Sequence, residues 1–83
     1  MQPDAPPSTA AAIQSAIAAR IPEAAIEVTS AGAGHYTLVV RSSSFRGRSM
    51  LECHRMVYAA IAPLLAGADA PVHAIDTLKT IVG

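Results

Sequence analysis

Isoleucines recur every fourth residue at Ile13, Ile17 and Ile21, and this spacing predicts an amphipathic helix with one buried face. Ser8 or Thr9 can cap its start, and Pro22 ends it, because proline has no N–H for the next turn. The β-branched run AAIEVT, residues 24–29, reads as a strand. A glycine-rich loop, SAGAG at 30–34, separates it from HYTLVVR at 35–41. There Tyr36, Leu38 and Val40 alternate with Thr37, Val39 and Arg41, so one side of a strand is buried. The two runs form an antiparallel hairpin.

Ser49 and Glu52 stand three apart, the spacing of a capping box, and place the start of a second helix at Met50. Met50, His54, Val57, Ile61 and Leu64 make its apolar stripe. Pro63 is expected to interrupt or kink the last turn, and Gly67 to stop it. APVHAIDTLKTIV, residues 70–82, reads as a third strand. The three prolines in residues 1–7 mark a disordered tail, followed by one domain over 8–83. Helix, two strands, helix, strand is the order of an α+β two-layer sandwich, a three-stranded sheet with helices on one face.

Length and charge narrow the possibilities. An 83-residue chain buries a limited core, and much of its 52% apolar content is alanine. A net charge of zero argues against a strong general polyanion binder. Yet Arg41, Arg46, Arg48 and Arg55 concentrate positive charge in the middle of the chain. The single cysteine, Cys53, cannot form an internal disulfide, which points to a reducing compartment. The N-terminal residues lack the basic and apolar regions of a secretory signal, and no apolar run reaches the ~20 residues of a membrane span. A cytoplasmic location is expected.

The adjacent Cys53, His54 and Arg55 suggest a catalytic cluster, but neighbours on a helix point about 100° apart. A Cys–His pair needs the ring within hydrogen-bond reach of the sulfur. His54 therefore reads as a packed core residue and Cys53 as an incidental helix cysteine. His35 and His73 fall at strand ends, where neutral imidazoles can ligate a metal. Two histidines do not complete a four-ligand site, so they read either as ordinary polar strand-end residues or as part of a site shared with another protein. Arg46, Gly47 and Arg48, just before a capped helix with Arg55 on it, could hold a phosphate. The chain has no G-x-x-x-x-G-K-[ST] loop and few aromatics to stack bases.

Phe45, Gly47, Ser49, Leu51, His54, Arg55, Val57 and Tyr58 together resemble the BolA family signature, F-x-G-x-S-x-L-x-x-H-R-x-V-Y. PVHAI resembles the family's I-H-A-L, Lys79-Thr80 its K-T ending, and GHYTLVV its second strand, S-H-F-x-V. The likeness runs from about Ile13 to Thr80. It implies a KH-like fold of class II, with a mixed sheet and a short extra helix before the second long one. The F-x-G-x-S turn and the H-R helix would belong to that fold.

The resemblance also implies a non-enzymatic adaptor that binds a monothiol glutaredoxin. The two would share a [2Fe–2S] cluster in iron–sulfur trafficking or iron homeostasis. Glutaredoxin cysteine and glutathione would hold one side, and the isolated chain would not bind the cluster. The histidine of I-H-A-L, which matches His73, would hold the other. The alternative is a DNA-binding regulator of stress response and cell morphology, acting through Arg46, Gly47, Arg48 and Arg55.

Two departures stand out. The family's second ligand is a His or Cys in the loop between the first two strands, and SAGAG has neither, which leaves His35 as a substitute. HAIDTLKT is one residue longer than the usual H-A-L-x-L-K-T, which predicts a bulge or a shifted ladder near His73.

Overall fold

A computed structural model describes residues 9–67 and 70–83. The expected tail, residues 1–7, and the Ser8 cap lie outside the described residues. Helix α1 spans Thr9–Arg20, strands β1 and β2 span Ala25–Ser30 and His35–Arg41, helix α2 spans Met50–Leu65, and strand β3 spans Ala74–Ile81. A 3-10 turn, Ser43–Phe45, precedes α2.

The expected α+β two-layer sandwich is present. The sheet order is β1-β2-β3. β1 and β2 pair antiparallel and β2 and β3 parallel, so the sheet is mixed. A parallel return needs a long crossover. The 3-10 turn and α2 supply it. Ile13, Ile17 and Ile21 of the first helical stripe, Leu38 and Val40 of β2, and Val57 and Ile61 of α2 are buried together, with Phe45 and Val72 closing the ends. Removing each large aliphatic side chain from water contributes roughly 1.5–3 kcal/mol.

The capping box is complete. Ser49 N–H donates to Glu52 Oε1 at 2.8 Å, and Glu52 N–H donates to Ser49 Oγ at 3.1 Å. The Ser49 backbone N–H, then its side chain, and more weakly Arg48 and Arg55 hold the Glu52 carboxyl below the usual glutamate range.

The stripe on α2 is rotated from its expected position. Its buried residues are Cys53, Val57, Ala60 and Ile61, whereas Met50 is 71% exposed and His54 is half-buried. Phe45 and Cys53 share the core, and the Cys53 thiol lies 3.9 Å from the Phe45 carbonyl oxygen. Met50, at the first helical position, is left outside. Cys53 is thus a core residue rather than an incidental one. Pro63 does not interrupt α2, which runs on to Leu65.

β1 lies one residue later than expected. β3 begins at Ala74 rather than at residue 70. Pro71 has no N–H to give to a ladder, and the Val72 N–H turns back to the Leu64 carbonyl at 3.2 Å. The one-residue excess in β3 is absorbed as a bulge. His35 and Tyr36 pair with Ala74 and Ile75, but Thr37 pairs with Thr77, leaving Asp76 without a ladder partner.

Val57 lies at the centre of this core and has no exposed surface. Val57→Asp should be severely destabilising, by about 3 kcal/mol or more, because it forces an unpaired carboxylate into the core. Thermal or urea unfolding of the variant checks this. Wild-type stability would mean that Val57 does not face the sheet.

Candidate functional site

The hairpin loop brings two histidines to one end of the sheet. His35 N–H donates to the Gly32 carbonyl at 3.0 Å, and Ala31 N–H to the His35 carbonyl at 2.8 Å, which closes the turn. The Gly34 carbonyl then accepts from both His73 N–H, at 2.7 Å, and Ala74 N–H, at 3.1 Å. This clamp fixes the backbone of His73 one residue ahead of β3, while His35 stands opposite Ala74 in the ladder. His73 is exposed, and its ring lies against Gly34 so closely that a Cβ there would collide with Cγ and Cδ2. Gly34 also has φ +76°, a conformation that suits glycine.

His35 lies on the sheet face away from the helices, since its neighbours at Tyr36, Leu38 and Val40 pack toward the core. Its Nδ1 is 3.0 Å from Asp76 Oδ1, and the two side chains are 46% and 44% exposed. Sequence reasoning anticipated the irregularity in β3 but not this pairing. The only available signal was the surplus residue itself, a carboxylate near a candidate ligand.

The other candidates separate. Cys53 points into the core, His54 is half-buried and Arg55 is exposed, so the three do not converge. His54, on α2, lies on the opposite side of the sheet from the His35 ring. Among the described residues, no group of three or more His, Cys, Asp or Glu could hold a metal ion.

Arg46, Gly47, Arg48 and Arg55 are all exposed around the start of α2. The amides of Ser49 and Glu52 are already occupied by the capping box, which sets the Glu52 carboxylate on the Ser49 amide among these arginines. Arg48 Nε donates to the Ser44 carbonyl at 3.0 Å. Within the signature, Phe45 is buried and Ser49 caps α2, so both serve the fold. Leu51 and Tyr58, seven apart, are exposed at 59% and 39% and share a face of α2 with Arg55.

Gly34→Ala should cost about 1 kcal/mol through its left-handed backbone, and it should also push the His73 ring out of place. Chemical-shift mapping checks this. The expected result is a folded variant with its largest perturbation at the His73 ring. An unmoved His73 resonance would show that Gly34 does not seat the imidazole.

No curated protein matches the chain. Solved structures do match. The BolA domain of SufE1 from Arabidopsis thaliana shares 21% identity with a TM-score of 0.75, over 94% of this chain and 95% of that one. At that identity the likeness speaks to fold alone. BolA1 from Mus musculus shares 29% identity with a TM-score of 0.67, over 99% of this chain and 75% of that one. Yeast Fra2 shares 27% with a TM-score of 0.68, over 93% and 82%. The BolA-like protein family matches residues 12–81. On that match, which spans nearly the whole chain and includes both the signature turn and the clamped histidine, the chain belongs to the BolA-like family.

Proposed function

We propose that this chain is a non-enzymatic adaptor that binds a monothiol glutaredoxin and holds one side of a [2Fe–2S] cluster shared with it, in iron–sulfur trafficking or iron homeostasis. One observation supports this most: His73 is exposed at a sheet end, with its backbone clamped by Gly34 and its ring seated on that glycine. A ligand to a shared group needs such a placement, accessible to a second protein yet fixed in direction.

The donor set fits half of such a site. The chain offers imidazole nitrogens from His73 and His35, and the described residues contain no third ligand to enclose a metal alone. The remaining ligands would be glutaredoxin cysteine and glutathione. When bound, the cluster supplies the iron chemistry. The chain positions the imidazole and leaves the sheet end open for the partner. The DNA-binding alternative is weaker, because the chain carries no net positive charge and the capping box already engages the Ser49 and Glu52 amides at the start of α2.

The test mixes the chain with a cluster-loaded monothiol glutaredoxin and records the visible spectrum and its decay. His73→Ala should keep the fold, change the spectrum and make the cluster more labile. His35→Ala should have a smaller effect. His54→Ala should lower thermal stability without a specific spectral change. A His73→Ala complex with wild-type spectrum and lifetime would contradict the proposal, as would tight, salt-sensitive duplex binding by the isolated chain with no effect of glutaredoxin.

A further inference from the structure

Asp76 is the residue by which β3 exceeds a regular strand, and it is the one residue of β3 between Ala74 and Ile81 that the ladder leaves unpaired. Its side chain is nevertheless engaged. Oδ1 lies 3.0 Å from His35 Nδ1, on the outer face of the sheet at the end where His73 is clamped. A carboxylate is an acceptor only, so the ring must present Nδ1–H to it. A neutral imidazole with its proton on Nδ1 has its lone pair on Nε2. A histidine free in water favours the opposite tautomer, with the proton on Nε2. The pair therefore selects a form that the side chain would not adopt alone.

From this geometry we infer that Asp76 is a positioning residue, which holds His35 as an Nε2 donor at the same end of the sheet as His73. The inference rests on the shared-cluster reading for its purpose, but its structural content belongs to the free chain. Carboxylates that orient a ligating histidine through its other ring nitrogen are a general feature of metal sites, and their loss typically weakens metal affinity 10–100-fold. In this chain, the loop before His35 carries no His or Cys. The bulge supplies what the loop lacks: it adds an acidic side chain on the outer face without moving the core-facing residues on either side. Asp76 thereby prepares His35 as the second donor.

Two measurements separate this inference from the reading it deepens. The first uses the free chain, labelled with 15N in histidine, at about pH 8.5, above the ordinary imidazole pKa of about 6.5. Two-bond 1H–15N correlation distinguishes the ring nitrogens. Wild-type His35 should show protonated Nδ1 and bare Nε2. Asp76→Ala should shift it toward the Nε2–H form. Asp76→Asn should keep the Nδ1–H form, because the amide oxygen also accepts. His73 serves as the control in the same spectra. An Nε2–H tautomer in the wild type, or no change in Asp76→Ala, overturns the inference and leaves the glutaredoxin proposal standing.

The second measurement follows cluster decay after mixing with cluster-loaded glutaredoxin. Asp76→Ala should speed it about 10-fold or more, Asp76→Asn should restore it, and Asp76→Ala should add nothing in a His35→Ala background. Equal decay for wild type and Asp76→Ala, with the tautomer shift observed, overturns the link between Asp76 and the cluster. If His73→Ala also leaves the spectrum unchanged, the shared-cluster reading falls with it.

Discussion

Ile75 and Leu78 stand three residues apart in β3, yet both pack toward the helices. A regular strand puts alternate side chains on one face, so residues at that spacing face opposite ways. Burying both requires one residue to leave the alternation. The ladder shows the result, with Asp76 passed over between Ile75 and Thr77. Bulges are rare in parallel pairs. Here the alternative is to expose Leu78 and bury Lys79, because a one-residue slip turns every later side chain to the other face. Avoiding a buried, unpaired ammonium is reason enough for the irregularity.

The site follows from the same constraint. The surplus residue lies on the outer face, one step beyond the end where the hairpin loop and the start of β3 are clamped by the Gly34 carbonyl. One edge of that arrangement holds the His73 imidazole against a glycine, and the other holds the His35 ring against the bulged carboxylate. The helix layer plays a different part. α2 is started by a complete capping box, and Phe45, four residues before that cap, is buried in the core. That fixes the crossover which returns β3 parallel to β2. The most recognisable stretch of the sequence thus builds the scaffold, and the candidate ligands lie elsewhere, His35 on the outer face of the sheet and His73 at its clamped end.

Local patterns were legible where one interaction decides the outcome. The isoleucine spacing of α1, the alternation in β2 and the Ser49–Glu52 pair each describe a short-range geometry, and each holds in the structure. The α2 stripe is rotated at its start, because Met50 is apolar yet exposed, while Cys53, three residues on, enters the core with Phe45. The start of β3 was set too early because Val72 is buried by the connection itself, through its bond to Leu64, rather than by a strand. At the site, His73 and His35 were legible as strand-end histidines and the bulge as a surplus residue. The His35–Asp76 contact was not, since it joins residues 41 positions apart. Nor was the role of Gly34, which depends on where a distant ring comes to rest.

The central claim is that Asp76 is a true surplus, absorbed by the ladder so that the rest of β3 keeps its register. Deleting Asp76 and following amide hydrogen exchange tests this directly. The account predicts a folded protein with a regular parallel ladder, in which the amides from Leu78 to Thr80 stay as protected as in the wild type. Loss of that protection, or an unfolded chain, would show that Asp76 is part of the register itself and contradict the account.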